Sequence, residues 1–284
     1  MQTAQVVNPI AYSKSVARDV AKYLLARPRD SFIVSYPKCG RTWLRFMVSE
    51  YFARKVGSDH DRSTLDLDTE LLNAAGIPRL LWTHDDSDIL SEDGRRPDPT
   101  VLFAYGSRLK YRRNKVLLLV RDPRDAVISY YHQVTKRSAA PMSFTGISEF
   151  VRHPLYGIDR IIRFYQVWER NLSVPKRLLL VRYEDMMTDG VESLGKILEF
   201  ISAQRPSDDL LQDVYDYSQA DKMRKLEKEA RVDGMRQFGQ ERDALKVRRA
   251  KIGSYADELA DDDIGYCNER MLTMPSCYGY TVGA

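Results

Sequence analysis

SFIVSYPKCGRTWLR, residues 31–45, joins a short apolar run to a helical pattern through a tight Pro-Lys-Cys-Gly turn. The run 31–36 is bounded by Asp30 and Pro37 and reads as a buried strand. Residues 41–55 follow as a helix, with Leu44, Val48, Tyr51 and Phe52 recurring on one face. A strand–loop–helix junction presents free backbone N–H groups and the positive end of the helix dipole, which together attract an anion. Gly40 lets the backbone approach a phosphate closely, Thr42 offers a hydroxyl, and Lys38 a mobile point charge. Taken alone, the same residues also fit a plain turn. No G-x-x-x-x-G-K-[ST] loop occurs anywhere in the chain, which disfavours an ordinary nucleoside triphosphatase or kinase.

A second stretch repeats the arrangement. KVLLLVRDPRDAVISYYHQ, 115–133, is an apolar run without alternation, as in a parallel strand buried on both faces, running into a helix over 123–135. Pro123 near the first turn forfeits no hydrogen bond. Arg121 stands at the strand's C-terminal end, where α/β sheets bind ligands, and Ser129 lies two turns into the helix. The alternative is that Arg121, Asp122, Arg124 and Asp125 form a surface salt-bridge set of little energetic weight.

Outward from these, RLLWTH (79–84) reads as a strand and KRLLLV (176–181) as a fourth buried strand. Residues 12–27 read as a lead-in helix, with further helices over 158–170 and 191–201. Strands alternating with helices indicate an α/β fold: one domain, 1–284, with a central, mostly parallel sheet flanked by helices. Residues 222–251 are dense in charge and poor in core residues. They read either as a solvated segment or, over 227–246, as a mobile lid that orders over an anionic ligand.

The bulk composition narrows the partners. The 44 basic and 40 acidic residues leave a net charge of +4, too small an excess to argue for nucleic acid. Cys39, Cys267 and Cys277 form neither a disulfide framework nor a zinc spacing and fit a reducing compartment. The N-terminal residues lack the apolar core of a signal peptide, and no apolar run reaches the roughly 18 residues a membrane span needs. A cytoplasmic location, no membrane and no metal site are expected.

Together these segments resemble the sulfotransferase family. YPKCGRTW (36–43) is similar to its 5'-phosphosulfate loop and VRDPRDAVISYYHQ to its 3'-phosphate motif. VRYEDM (181–186) and VRRAKIGSYADEL (247–259) follow in the family's order, so the resemblance runs from about residue 31 to about residue 270. It implies a P-loop-like sulfotransferase fold. The donor would be 3'-phosphoadenosine 5'-phosphosulfate (PAPS), the product adenosine 3',5'-bisphosphate, and no metal would be required. It further implies that Lys38, Cys39, Gly40, Arg41 and Thr42 hold the 5'-phosphosulfate, Lys38 at the bridging oxygen. Trp43 would stack the adenine, Tyr183 would meet it, and Arg121, Ser129, Arg248, Arg249 and Ala250 would serve the 3'-phosphate. Some positions depart from the family pattern: Arg41 replaces a threonine, Ala250 a glycine, Ser254 and Tyr255 an Asp-Trp pair, and Ala220 an aromatic that covers the second adenine face.

LLWTHDD (80–86) resembles the element whose histidine accepts the acceptor's proton, which makes His84 the candidate general base. Without the resemblance, His84 reads more readily as a strand-end histidine that only hydrogen-bonds a neighbour. Trp82 stands where the family carries a lysine. Asp85 and Asp86 would orient His84 or recognise a cationic acceptor. The reaction needs alignment and stabilisation of charge on the leaving oxygen more than covalent participation by the protein. The acceptor pocket is expected from loops 56–78, 85–114, 136–157 and 227–246, with Tyr105, Tyr130, Tyr131, Phe144 and Tyr156 as candidate lining. The polar, doubly charged loops point to a small polar metabolite or a carbohydrate. A homodimer stays open. The competing functions are a small-molecule kinase and a binding module without turnover.

Overall fold

The computed structural model describes residues 26–57, 63–65, 72–73, 76–85, 87, 108–137, 141–229, 231–233 and 250–282. Arg248, Arg249, Asp86, Tyr105, most of the 12–27 segment and residues 234–246 of the expected lid lie outside them. In chain order the strands and helices are β1 (Ser31–Ser35), α1 (Arg41–Lys55), β2 (Ser63–Thr64), β3 (Leu80–Thr83), β4 (Lys115–Val120), α2 (Pro123–Lys136), α3 (Ile147–Arg152), α4 (Ile158–Glu169), β5 (Arg177–Arg182), α5 (Tyr183–Thr188), α6 (Gly190–Ser202), α7 (Asp208–Tyr217), α8 (Ala220–Lys228), β6 (Val232–Asp233) and α9 (Asp261–Met271).

The expected parallel sheet is present, with strand order β3-β1-β4-β5. Ile33 pairs with Trp82 on one side and Leu117 on the other, and Leu117 with Leu179, so the apolar runs align in register. Helix α6 packs on β5, α7 bridges α6 and α1, and α4 joins α2 to α9. The two central strands are buried almost throughout. The fourth strand was expected to be buried as well, but Leu178, Leu179 and Leu180 are only half-buried. The reason is position: β5 is a sheet edge, and an apolar run does not tell an edge strand from a central one.

The N-terminal ends of the strands are tied together. The Asp30 carboxylate accepts from Arg27 N (2.8 Å) and Arg79 Nη2 (2.6 Å), just before β1 and β3. Asn114 Nδ2 donates to Arg27 O (2.7 Å) and Asp30 O (3.1 Å), and Lys176 N donates to Asn114 O (3.0 Å). One buried carboxylate and one carboxamide thus fix the strand starts in register. The chemistry is left to the opposite edge.

Residues 222–233 depart from the charge-dense, core-poor reading. Helix α8 buries Met223 and Leu226, and Val232 follows; together with Phe46 of α1 and Leu65 they make a second small apolar cluster. Strand β6 pairs in parallel with β2. Two apolar residues at i and i+3 are enough to seat one side of a short helix. Charged neighbours hide such a pair in a composition count, and the strand partner is remote in sequence.

Candidate functional site

The loop between β1 and α1 turns on two left-handed residues, Lys38 (φ 73°) and Gly40 (φ 95°). For a lysine this conformation costs about 1–2 kcal/mol. Gly40 is needed twice over: besides its φ, a Cβ there would stand 2.5 Å from Cδ2 of Tyr183. Gly40 caps α1, whose first turn holds Arg41 and Thr42 and no acidic residue. A cation at the positive end of a helix is on the wrong side of the dipole, by about 0.3–1 kcal/mol; a bound anion reverses that sign. Lys38 Nζ donates to Oε1 of Gln133 on α2 (3.2 Å), and Gln133 Nε2 donates to Arg137 O (2.8 Å).

Cys39 is fully buried and turns its thiol inward, 3.7 Å from the Tyr165 hydroxyl. Burial pushes the thiol up to about 12, so it is inert as a nucleophile at neutral pH. Of the expected contacts to a ligand, only the Cys39 backbone N–H suits this orientation. The Tyr165 hydroxyl donates to Arg121 O (2.6 Å) and accepts from Arg121 N (2.9 Å). Its one proton is therefore committed, and the Cys39 S–H is the donor between the two.

Arg121 follows β4 directly and is 8% exposed, so the surface salt-bridge alternative does not hold. Its guanidinium lies over the Tyr183 ring, 4.4 Å from the centroid, and Nη1 donates to Lys38 O (3.2 Å). Asp125 stands 3.7 Å from Nη2. The Asp125 carboxylate spends its acceptors elsewhere, on Gly253 N (2.9 Å), Ser254 Oγ (3.0 Å) and Tyr255 N (3.0 Å). Asp122 caps α2 by accepting from Arg124 N (2.8 Å), and its side chain pairs with Arg124 Nη2 at 2.7 Å. Arg124 also covers the Tyr255 ring at 4.3 Å. The N-terminal turn of α2 therefore docks the segment 250–259. Ser129 is half-buried on the same helix.

Tyr183 opens α5 after β5 and is 7% exposed, between Gly40, Arg121 and Trp43. Trp43 meets Tyr183 edge-on at 5.9 Å and is tilted against Tyr215 at 6.1 Å, and its Nε1 donates to Ser218 O (2.8 Å). Trp43 and Tyr183 thus share one aromatic patch, reached from opposite ends of the chain. Ala250 adopts φ 49°, a left-handed conformation that a glycine would take without penalty.

His84 is half-buried just beyond β3, its Nδ1 2.9 Å from Ser35 O. A carbonyl only accepts, so Nδ1 carries the proton and Nε2 is the basic nitrogen of the neutral ring. Asp85 was expected to orient His84 or to meet a cationic acceptor, and its carboxylate does neither. It is 1% exposed and pairs with Arg108 Nε (2.5 Å) and Lys110 Nζ (2.7 Å), and Tyr111 Oη donates to it (2.7 Å). Burial alone would raise its pKa, but Lys110 and Arg108 outweigh that and hold it below the ordinary carboxylate value. Its contribution to His84 is through the backbone: left-handed φ (54°) and an amide donating to Thr83 Oγ1 (2.9 Å) turn the chain sharply after the histidine.

Of the residues expected to line an acceptor pocket, Tyr130 and Tyr156 are core, packed on Phe150, while Tyr131 and Phe144 are half-buried beside it. Three residues near Arg121 and Lys38 were given no role from the sequence: Tyr165, Glu184 and Gln133, the last two lying within the quoted segments 181–186 and 120–133. Tyr165 lies in a helix read only for its apolar stripe. Glu184 accepts from Asp122 N (2.9 Å), and burial raises its pKa despite that bond. Among the described residues, no group of three His, Cys, Asp or Glu side chains is placed to hold a metal, and no helix is long and apolar enough to cross a membrane.

Residues 28–272 match the sulfotransferase domain family. Flavonol 3-sulfotransferase of Flaveria bidentis is 31% identical over 190 residues, 62% of this chain and 57% of that protein. Sulfotransferase 6B1 of Danio rerio is 28% identical over 198 residues, 65% of this chain and 60% of that protein. The chain thus spans less than two thirds of the length of these curated relatives. Among solved structures, retinol dehydratase in complex with androsterone and the inactive cofactor PAP has a TM-score of 0.59 at 16% identity, covering 91% of this chain and 84% of that one. Mouse sulfotransferase SULT7A1 complexed with PAP has a TM-score of 0.55 at 19% identity, covering 87% and 84%. At such identities the likeness bears on the fold alone, an α/β sheet flanked by helices. The family match takes in every strand of the main sheet and both junctions that face its C-terminal edge, and by it this chain belongs to the sulfotransferase domain family.

Proposed function

We propose that this chain is a PAPS-dependent sulfotransferase, moving the sulfuryl group to a hydroxyl or amine of a small-molecule or glycan acceptor. The observation that carries the reading is the meeting of two cationic stations across one aromatic ring. Gly40 of the loop abuts Tyr183 on one side, and Arg121 covers the same ring at 4.4 Å. A donor with a 5'-phosphosulfate and a 3'-phosphate needs two such stations and a flat surface between them. On this reading Lys38, the Cys39 amide, Gly40, Arg41 and Thr42 hold the 5' end. Trp43 and Tyr183 meet the adenine, and Arg121 and Ser129 take the 3'-phosphate, joined by Arg248, Arg249 and Ala250.

The transfer breaks the bond between sulfur and the bridging oxygen, whose electrons leave with the phosphate, and forms a bond to the acceptor's oxygen or nitrogen. Lys38 offsets the negative charge that grows on the leaving oxygen. His84 takes the acceptor's proton on Nε2, its ring held by the bond from Nδ1 to Ser35 O. The side chains supply alignment and charge, and no metal is invoked. Three free cysteines support a reducing, cytoplasmic setting. The polar character of the chain's loops favours a polar metabolite or carbohydrate as acceptor.

A thermal-shift series tests the donor assignment. Adenosine 3',5'-bisphosphate at about 100 times its Kd should stabilise the protein by about 2.7 kcal/mol without magnesium. Stabilisation by ATP with magnesium and none by the bisphosphate would point to a kinase instead. An acceptor library read by PAPS consumption then identifies the second substrate; donor binding with no consumption across polar and carbohydrate acceptors would favour a binding module.

A further inference from the structure

The residues matched to the family end at 272, yet the chain continues into two buried tyrosines, Tyr278 (1% exposed) and Tyr280 (8%). Gly279 between them is left-handed (φ 71°), a conformation that lets neighbouring side chains enter the protein at separate points. The ring of Tyr278 lies 5.0 Å from that of Tyr165, and its hydroxyl donates to Tyr165 O (2.8 Å). The Tyr280 hydroxyl donates to Oε2 of Glu184 (2.6 Å), with the Arg182 guanidinium over its ring at 4.6 Å.

The two partners hold one and the same stretch of backbone. Tyr165 binds both N–H and C=O of Arg121 (2.9 and 2.6 Å), and Glu184 Oε1 accepts from the next amide, Asp122 N (2.9 Å). Three consecutive main-chain polar groups at the end of β4 are thus fixed by two side chains; Tyr280 bonds the Glu184 carboxylate, and Tyr278 holds Tyr165 through its main-chain carbonyl and a ring contact. We infer that residues 278–280 are a positioning strap for Arg121: through Tyr165 and Glu184 they set where its guanidinium stands and so how well it discriminates a 3'-phosphate. The strap touches no ligand. Its role rests on the proposed assignment of Arg121 to that phosphate.

Tyr278→Phe and Tyr280→Phe each remove one hydroxyl and keep the ring. Calorimetric Kd values for adenosine 3',5'-bisphosphate and AMP give the ratio that reports on the 3'-phosphate alone. Losing one supporting hydrogen bond should lower that ratio by about 3- to 10-fold in each variant, with AMP affinity within about twofold of wild type and a larger drop in the double variant. Either variant suffices should the other not yield folded protein. A fall in melting temperature with an unchanged ratio means that the strap only adds stability, and overturns the inference. Arg121→Ala separates the two levels. If it abolishes the ratio while both tyrosine variants keep it, the inference alone is wrong. If Arg121→Ala keeps the ratio, the assignment of Arg121 is wrong and the inference falls with it.

Discussion

Asp85 and Asp125 are both buried aspartates, each about 1% exposed, each beside a cation at the C-terminal edge of the same sheet. They use their acceptors in opposite ways. Asp85 spends its oxygens on Arg108, Lys110 and Tyr111 at 2.5 to 2.7 Å. Asp125 gives its oxygens to two backbone amides and a hydroxyl of the segment 253–255 and stands 3.7 Å from Arg121. Arg121 is therefore held over Tyr183 with its counter-charge 3.7 Å away, which on the proposed reading leaves its charge to a ligand. A buried ion pair alone does not mark a site; the two aspartates differ in how they distribute their acceptors, and the proposed reading turns on that difference.

The largest effect should come from Asp85. Asp85→Ala removes the buried carboxylate that pairs with both Arg108 and Lys110, whose side chains are 7% exposed. Such a break costs about 3–5 kcal/mol of stability in denaturant titration. Its folded-state pKa is depressed below the ordinary 3.8, so the carboxylate's contribution is present above that value and lost as pH falls through the lower, folded one. Wild type should lose stability on acidification below about pH 4, and Asp85→Asn should lack that component. A loss under about 1 kcal/mol for Asp85→Ala would remove the contrast between the two aspartates.

Next in size is His84→Ala. Turnover should fall by about 10²-fold or more while bisphosphate affinity stays near wild type. The rising limb of the pH–rate profile, which reports the neutral ring, should vanish with it. Asp85, buried and ion-paired, is not a substitute base; a retained rate with the natural acceptor would move the role to another group, Asp86 being the first candidate. The smallest of the three is Asp125→Asn. An amide oxygen keeps part of the contacts to residues 253–255, so stability should drop by about 1 kcal/mol. Bisphosphate affinity should drop about tenfold, an effect of one charge-assisted contact set askew. Equal change in AMP and bisphosphate affinity would show that Asp125 acts on the fold alone.

Much of this was legible in the sequence because it is local. KVLLLV and SFIVSY are apolar runs cut off by Arg121 and Pro37, and the strands end at Val120 and Ser35, one and two residues before those marks. Gly40 and the Asp122-Pro123 start of α2 are likewise local signals, and both appear as caps. What stayed hidden depends on direction or on distance along the chain. The letters of residues 84–86 show two carboxylates beside a histidine, but not that the Asp85 side chain turns away toward Arg108. Cys39 reads as part of the loop, although its thiol faces the core. Tyr165 meets Arg121 across 44 residues of chain, Glu184 meets Asp122 across 62, and Tyr280 meets Glu184 across 96. Single-chain periodicity carries no information on such pairings.

The central claim is that Arg121, held but not neutralised, reads a 3'-phosphate. Isothermal titration of the wild type and Arg121→Ala with adenosine 3',5'-bisphosphate and with AMP, without magnesium, tests it most directly. The wild type should prefer the bisphosphate by about 10²-fold, as a charge-assisted bidentate contact implies, and Arg121→Ala should bind the two about equally with its fold intact. Equal affinity of the wild type for both nucleotides would contradict the account.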